Sequence, residues 1–145
     1  ALYTLFIYEA YKNAIRDEDG IIKQNGGINF TSPTSAKQLP KFNHRMDLLQ
    51  RKYAIIYAAF GGEAENAPDI TKADIRLPMI SGIRRAISKQ SEKIYDAERF
   101  MVNRDKNGIY GISANPEVFQ CKEFQNPEAI NICDSSLFNN LNKLG

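Results

Sequence analysis

Apolar residues recur at helical spacing near the start of the chain. Between Leu2 and Asp19 they alternate with residues that favour helices, and Gly20, a residue type common where helices end, follows directly. The apolar positions of this stretch include Phe6, Tyr8, Tyr11 and Ile15. We therefore predict a first helix over residues 2–19.

A second and more regular apolar stripe follows in the middle of the chain. Its members, separated by three or four residues, are Phe42, Met46, Leu49, Tyr53, Ile56 and Phe60. Pro40 suits the first turn of a helix, and the pair Gly61-Gly62 suits its end. The pattern predicts a second helix from Pro40 to this glycine pair, with most of its basic side chains off the stripe: Lys41, Arg45, Arg51 and Lys52.

The third predicted helix starts in one of two places. The quartet Thr71-Lys72-Ala73-Asp74 resembles a capping box with aspartate at its fourth position, and Pro78 either kinks the helix or begins its main segment. A heptad-like seam then runs through Ile80, Ile83, Ile87, Gln90, Ile94, Ala97 and Met101. This pattern fits a coiled coil, but we favour an ordinary bundle helix that packs against the second helix.

The other segments carry turn signals. Residues 25–40 are rich in Gly, Asn, Ser, Thr and Pro and predict a mobile surface loop. The turn sequence Asp105-Lys106-Asn107-Gly108 lies between two apolar runs and predicts a short β-hairpin. The remainder reads as irregular, with one helical turn near residues 136–144. The expected fold is mainly α, a small bundle of about three amphipathic helices with a short hairpin and an irregular C-terminal region.

Length and composition favour a single domain over residues 1–145. The chain is 43% hydrophobic and 25% charged, which supports a packed core, and it contains no internal repeat or long linker. Its formal net charge of +2 is too small to indicate a nucleic-acid-binding protein. No segment approaches the ~20 apolar residues of a membrane span, and no signal peptide is evident, so we expect a soluble chain.

The two cysteines, Cys121 and Cys133, flank a segment that contains the turn signal Asn126-Pro127. We expect a disulfide between them, and the alternative is two reduced thiols. One glycosylation sequon, Asn29-Phe30-Thr31, is also present. These features favour an extracytoplasmic or secreted location, with the cytoplasm as the alternative.

The residue inventory excludes most catalytic and metal chemistry. His44 is the only histidine, it lies among basic residues, and with the two cysteines it would give zinc at most three ligands. The two acidic turn segments lack the closing carboxylate of a calcium loop, and no glycine-rich phosphate loop is present. We therefore predict no catalytic residue, cofactor or metal. An enzyme would need acidic and tyrosine side chains gathered in one pocket, the candidates being Glu9, Asp17, Asp19 and Tyr110.

Four basic residues lie close together in the third predicted helix. Arg85, Lys89 and Lys93 are four residues apart and would form a positive stripe opposite the isoleucine seam, with Arg84 beside it. Such a stripe could bind the phosphates of a nucleic acid or another polyanion. Three acidic residues of the same segment reduce its charge: Glu92, Asp96 and Glu98.

Amphipathic helices without a catalytic constellation favour a noncatalytic interaction or assembly protein, whose partner is another protein or a second copy. Exposed tyrosines would supply contact area for that partner. The layout of an apolar N-terminal helix, a polar connecting region, hairpin strands and the late pair Cys121 and Cys133 resembles the soluble part of a type IV pilin or pseudopilin. That resemblance implies a surface filament subunit. Polyanion binding and carboxylate-dependent catalysis remain alternatives.

Overall fold

A computed structural model describes residues 1–123 and 126–145. Within these ranges, four α-helices alternate with seven short strands and a few turns of 3-10 helix. The helices are α1 (Leu2–Lys12), α2 (Leu39–Ala59), α3 (Ala73–Lys89) and α4 (Ser136–Asn142). The strands are β1 (Ile15–Arg16), β2 (Ile22–Gln24), β3 (Ile28–Asn29), β4 (Asn103–Arg104), β5 (Ile109–Gly111), β6 (Gln120–Cys121) and β7 (Ile130–Asn131).

Helix α1 lies at the centre of the molecule. It packs against α2, α3, β5 and the 3-10 turn Pro116–Val118. Eight of its 11 residues are buried, and they cover its whole circumference. Six of these eight are apolar, the exceptions being Thr4 and Glu9. A helix buried on all sides needs such a dense run of apolar residues.

Helix α2 confirms the second predicted helix, since it covers residues 39–59 and has a proline in its first turn. Its buried apolar residues belong to the predicted stripe: Met46, Leu49, Tyr53 and Ile56. These four residues belong to the main hydrophobic core, which α2 shares with α1. Phe60, the last member of the predicted stripe, is 64% exposed. Lys52, which the pattern placed off the stripe, is however buried at 5% exposure.

The strands form three small antiparallel sheets with the orders β1-β2, β3-β5-β4 and β6-β7. The predicted hairpin is present as β4 and β5, whose turn closes with Gly108 at a φ of +81°. Strand β3 joins the free side of β5 through the pairs Ile28 with Tyr110 and Asn29 with Ile109. A segment distant in sequence therefore completes the central sheet.

The prediction of a mainly α bundle of three helices is wrong, because the fold is mixed α and β. The first helix ends at Lys12, seven residues earlier than predicted, and the chain continues into the β1-β2 hairpin. The Oδ1 atom of Asp17 accepts hydrogen bonds from the backbone N–H groups of Asp19 and Ile21, and Gly20 has a φ of +80°. These interactions close a tight turn where the sequence suggested a helix end.

The third predicted helix is also shorter than its seam. Helix α3 begins at Ala73, keeps Pro78 inside it and ends at Lys89. Gln90 and the remaining seam positions lie beyond the helix, in a run of turns where Asp96 adopts a φ of +55°. All six residues at positions 88–93 are polar, so continued helix there would bury little apolar surface.

The predicted mobile loop over residues 25–40 contains strand β3 and a buried aromatic residue, Phe30. Near residue 136, the predicted helical turn is helix α4, whose Ser135 side chain accepts a hydrogen bond from the Phe138 N–H. None of the helices in the two described ranges is long and apolar enough to span a bilayer.

Candidate functional site: a polar cleft between two hairpins

An open cleft of about 740 Å³ lies between two hairpins of the fold. One wall is formed by residues 22–27, which include β2, and the other by the β4-β5 hairpin and the segment that follows it. This volume falls within the range of typical ligand sites. Its polar lining consists of Asn13, Lys23, Gln24, Asn25, Arg99, Asn103, Arg104, Asp105, Ser113 and Asn115.

Two glycines allow the walls of the cleft to approach the rest of the fold. The Gly26 N–H donates to the carbonyl of Ala10 at 3.0 Å, and a Cβ on Gly26 would lie 2.5 Å from the backbone oxygen of Glu9. A Cβ on Gly27 would lie 2.6 Å from the Cγ2 atom of Ile109. Any side chain at these positions would push this wall away from α1 and β5.

An amide side chain joins the two walls at the base of the cleft. The Nδ2 atom of Asn25 donates to the carbonyl oxygens of Ile112 at 2.8 Å and Ala114 at 2.7 Å. On the second wall, the N–H groups of Ser113 and Ala114 donate to the Arg99 carbonyl. The walls are therefore tied together by hydrogen bonds, which favours a preformed site.

Positive charge dominates the lining. It contains three cations, Lys23, Arg99 and Arg104, and one carboxylate, Asp105. The Oδ1 atom of Asp105 accepts hydrogen bonds from the backbone N–H groups of Asn107 and Ile109, at 2.8 and 2.9 Å, and is thus engaged in its own turn. Arg99 is 3.9 Å from an exposed carboxylate of Asp96, a separation at which an exposed pair contributes little.

Among the residues that the structure describes, none that lines the cleft is aromatic. Proteins that hold single-stranded nucleic acids usually stack the bases on aromatic rings. The cleft therefore offers charge and amide hydrogen bonding without a surface for base stacking.

The β1-β2 hairpin beside the cleft exposes two large apolar side chains, Ile15 at 59% and Ile21 at 62%. Arg16 holds the hairpin in place, since its guanidinium donates to the carbonyls of Gly20 and Tyr11 and lies 4.8 Å from the centre of the Tyr11 ring. The exposed isoleucines are thus presented on a fixed turn.

Three of the four predicted polyanion-binding residues lie together. Arg84, Arg85 and Lys89 line a shallow groove of about 420 Å³ with Ser81 and Ser88. The Nη1 atom of Arg84 also donates to the Val102 carbonyl at 3.0 Å and to the Asn103 side chain. Lys93 follows the end of α3 by four residues, so the predicted regular stripe is not formed.

The two cysteines are free thiols in the structure, with Cys121 half-buried and Cys133 buried. Strands β6 and β7 pair antiparallel, and Cys121 lies opposite Ile130, three residues before Cys133. Burial, together with the nearby carboxylates of Glu117 and Asp134, raises the pKa of the Cys133 thiol to about 11. The disulfide stays a prediction. Part of the segment between the cysteines, residues 124–125, is outside the described residues.

The structure does not gather the candidate catalytic residues. Glu9 is buried beside Lys52, whereas Asp17 closes the β1-β2 turn and Asp19 is exposed. Tyr110 packs its ring edge-on against Phe30. In the part of the chain that the structure describes, no group of three His, Cys, Asp or Glu side chains is placed to hold a metal ion.

Sequence reasoning missed the cleft because its amide residues come from four separate segments. Asn13 follows α1, Asn25 precedes β3, and Asn103 and Asn115 lie on either side of β5. The only local signal was the turn at Asp105–Gly108. Comparison with known proteins assigns no identity, since no family model, no curated protein and no solved structure matches this chain.

Proposed function

We propose that this protein is a noncatalytic interaction protein that binds an extended acidic segment of a partner protein in the cleft between β2 and β4. The observation that carries the proposal is the charge of the lining. Three cations line the cleft against one carboxylate, that of Asp105. The Oδ1 atom of Asp105 already accepts hydrogen bonds within its own turn.

The form of the cleft favours a peptide as the ligand. Its lining includes β2 and β4, each of which is the outer strand of its sheet and has one side that pairs with no other strand of the described residues. An outer strand can pair with an added extended chain through backbone hydrogen bonds. The surrounding amides can donate to and accept from peptide groups, whereas base stacking has no support there.

Helix α1 is a poor candidate for assembly, because nearly its whole surface is covered by the core. The exposed isoleucines of the β1-β2 hairpin can instead extend the contact with the partner at one end of the cleft. An extracytoplasmic location remains part of the proposal only through the pair Cys121 and Cys133.

The test uses a labelled peptide of about ten residues that alternates aspartate with serine, long enough to cross the cleft when extended. We expect saturable amide shifts in NMR spectra at residues 22–27 and 103–115, and weaker binding as salt increases from about 50 to 200 mM. A matched lysine–serine peptide should cause no such shifts.

Charge-reversal variants distinguish binding of the acidic peptide in the cleft from nonspecific attraction to basic residues elsewhere on the protein. The variant Lys23→Glu/Arg104→Glu should lose binding at least tenfold, and Lys37→Glu/Lys41→Glu, which makes the same charge change at exposed residues outside the cleft, should retain it. Equal losses in both variants, or no shifts with the acidic peptide, would contradict the proposal. If a single-stranded oligonucleotide bound more tightly than the acidic peptide in the same cleft, the ligand would be a nucleic acid and the peptide proposal would be wrong.

A second candidate function is polyanion binding at the groove on α3. The observation that favours it is that three basic and two serine side chains line the groove without a carboxylate. An Arg85→Ala/Lys89→Ala variant should weaken binding of an oligonucleotide and reduce its dependence on salt, while the acidic peptide still binds the cleft. Unchanged oligonucleotide binding would eliminate this function.

A further inference from the structure

A second, smaller pocket of about 220 Å³ lies on the other side of the Gly26-Gly27 segment, between the end of α1 and α2. It contains charged groups that the proposed peptide site does not use. The polar side chains that line it are Glu9, Asn13, Asn29, Arg45 and Lys52.

Two of these side chains form a buried ion pair. The Nζ atom of Lys52 lies 3.1 Å from the Oε1 atom of Glu9, and the residues are 5% and 4% exposed. Asn13 donates a hydrogen bond to the other carboxylate oxygen of Glu9. Both oxygens of Glu9 are therefore occupied, and its charge is balanced by the ammonium group.

Lys52 has donors to spare. An ammonium group carries three N–H bonds, and in the described part of the chain only Glu9 accepts one of them. The ring of Tyr8, whose centroid is 5.1 Å away, adds a favourable contact on one side. Lys52 also lines the pocket, so its remaining N–H bonds are available to a ligand there.

Stability alone is a weak reason for such a pair. Burying two charges costs about as much as their attraction returns, and apolar residues of similar volume are often equally or more stabilising. Ligand sites, in contrast, are concave and place a few polar or charged groups at their surface.

Arg45 adds a second cation to the pocket lining. Its side chain is exposed, and within residues 1–123 and 126–145 it makes one long hydrogen bond, of 3.4 Å to the Asn29 carbonyl. Its guanidinium lies 5.4 Å from the centre of the Phe42 ring. The charges of Glu9 and Lys52 cancel, so the side chains that line the pocket carry a net positive charge from Arg45, and the backbone of Gly145 lies at the pocket as well. Both of its basic side chains can donate to a ligand, whereas the oxygens of Glu9 are already used.

We propose that this pocket binds a small oxyanion, a carboxylate or an inorganic phosphate, between Lys52 and Arg45. The volume, compared with ~30 Å³ for a water molecule in the liquid, suits an anion of a few heavy atoms. A charge-assisted hydrogen bond from Lys52 and a planar contact from Arg45 would hold the oxygens.

The test is an NMR titration of the isolated protein with acetate and, separately, with inorganic phosphate, each against chloride at equal ionic strength. We expect saturable shifts at Gly27 and Asn29 and at the Lys52 side chain, with one anion preferred. Preference for acetate would identify the ligand as a carboxylate, and preference for phosphate would identify it as a phosphate. An absence of saturable shifts with both anions overturns the proposal.

Two variants and a control locate the site. Arg45→Gln should weaken binding at least fivefold, whereas Arg51→Gln, which removes a neighbouring exposed cation of α2 that does not line the pocket, should not. The pair Glu9→Gln/Lys52→Met should abolish binding without leaving a buried charge unpaired. Equal effects of Arg45→Gln and Arg51→Gln would contradict the proposal. The acidic peptide remains a separate probe, so failure of one site leaves the other testable.

Discussion

The guanidinium of Arg76 lies 4.1 Å from the centre of the Phe30 ring and donates hydrogen bonds to the carbonyls of Ile70 and Thr71, both at 3.1 Å. Arg76 is 8% exposed. One side chain thus joins the segment after β3 to the chain that enters α3. Burial lowers the pKa of this guanidinium.

Loss of the Arg76 side chain should therefore destabilise the fold. We expect Arg76→Ala to lower the free energy of unfolding by about 2–3 kcal/mol, because hydrogen bonds of a charged donor and a cation–π contact are removed together. Chemical denaturation measures the change. Arg85→Ala, at an exposed position of α3, is the control and should stay within about 0.5 kcal/mol of the wild type. Similar values for the two variants would show that the Arg76 contacts do not stabilise the fold.

Two glycine substitutions should change the free energy of unfolding in opposite directions. Gly26→Ala places a Cβ 2.5 Å from the backbone oxygen of Glu9 and should cost about 1–3 kcal/mol, since backbone cannot move aside easily. Gly82→Ala is in the middle of α3, with its nearest neighbour a flexible Arg85 nitrogen at 3.8 Å, and should stabilise by about 0.5–1 kcal/mol. Thermal unfolding of both proteins checks the pair. A stable Gly26→Ala variant would contradict the close approach described at the cleft.

The sequence predicted α2 well because one apolar stripe, a proline and a glycine pair all indicate the same boundaries. The end of α1 was missed because Asp17–Gly20 is compatible with both a helix end and a hairpin turn, and long-range pairing decides between them. Strand β3 is two residues long and depends on β5, about 80 residues later, so local sequence carries little sign of it. The Glu9 and Lys52 pair was missed for a similar reason, since the carboxylate that offsets the cost of burying the lysine is 43 residues away in the sequence.

The two thiols should react at different rates. Burial raises the pKa of both, that of Cys133 to about 11, so its thiolate is scarce near neutral pH. We expect iodoacetamide to modify the half-buried Cys121 first, with Cys133 protected until the pH approaches 11 or the protein unfolds. Peptide mass spectrometry after timed alkylation measures both rates.

Intact mass of natively sourced protein before and after reduction tests the disulfide: a gain of about two mass units on reduction confirms the bridge, and no change shows free thiols.

Tyr3, which is partly buried, and Tyr8, which is buried, should make the protein sensitive to alkali. Burial raises the pKa of Tyr3 and of Tyr8 from 10.0 to about 12, and each hydroxyl donates a hydrogen bond at 2.7 Å, to the Phe100 carbonyl and the Asn142 side chain. A raised phenol pKa stabilises the fold below pH 10, and that stability is lost as the pH rises from 10 through 12. Absorbance titration at alkaline pH should show a late group of tyrosines. In Tyr3→Phe this group should lose one member, and an unchanged titration would contradict the assignment.

The ion pair of Glu9 and Lys52 should show strong coupling in unfolding experiments. Glu9→Gln alone leaves a buried ammonium without its counter-ion, and Lys52→Met alone leaves a buried carboxylate, so each should cost about 3–5 kcal/mol. The double variant Glu9→Gln/Lys52→Met removes both charges and should recover most of that loss, because the side chains are similar in volume to the originals. Denaturant unfolding of the four proteins gives the coupling free energy. Additive losses would mean that the two charges do not interact in the folded protein, and the pocket beside them would then lack the fixed ammonium on which anion binding depends.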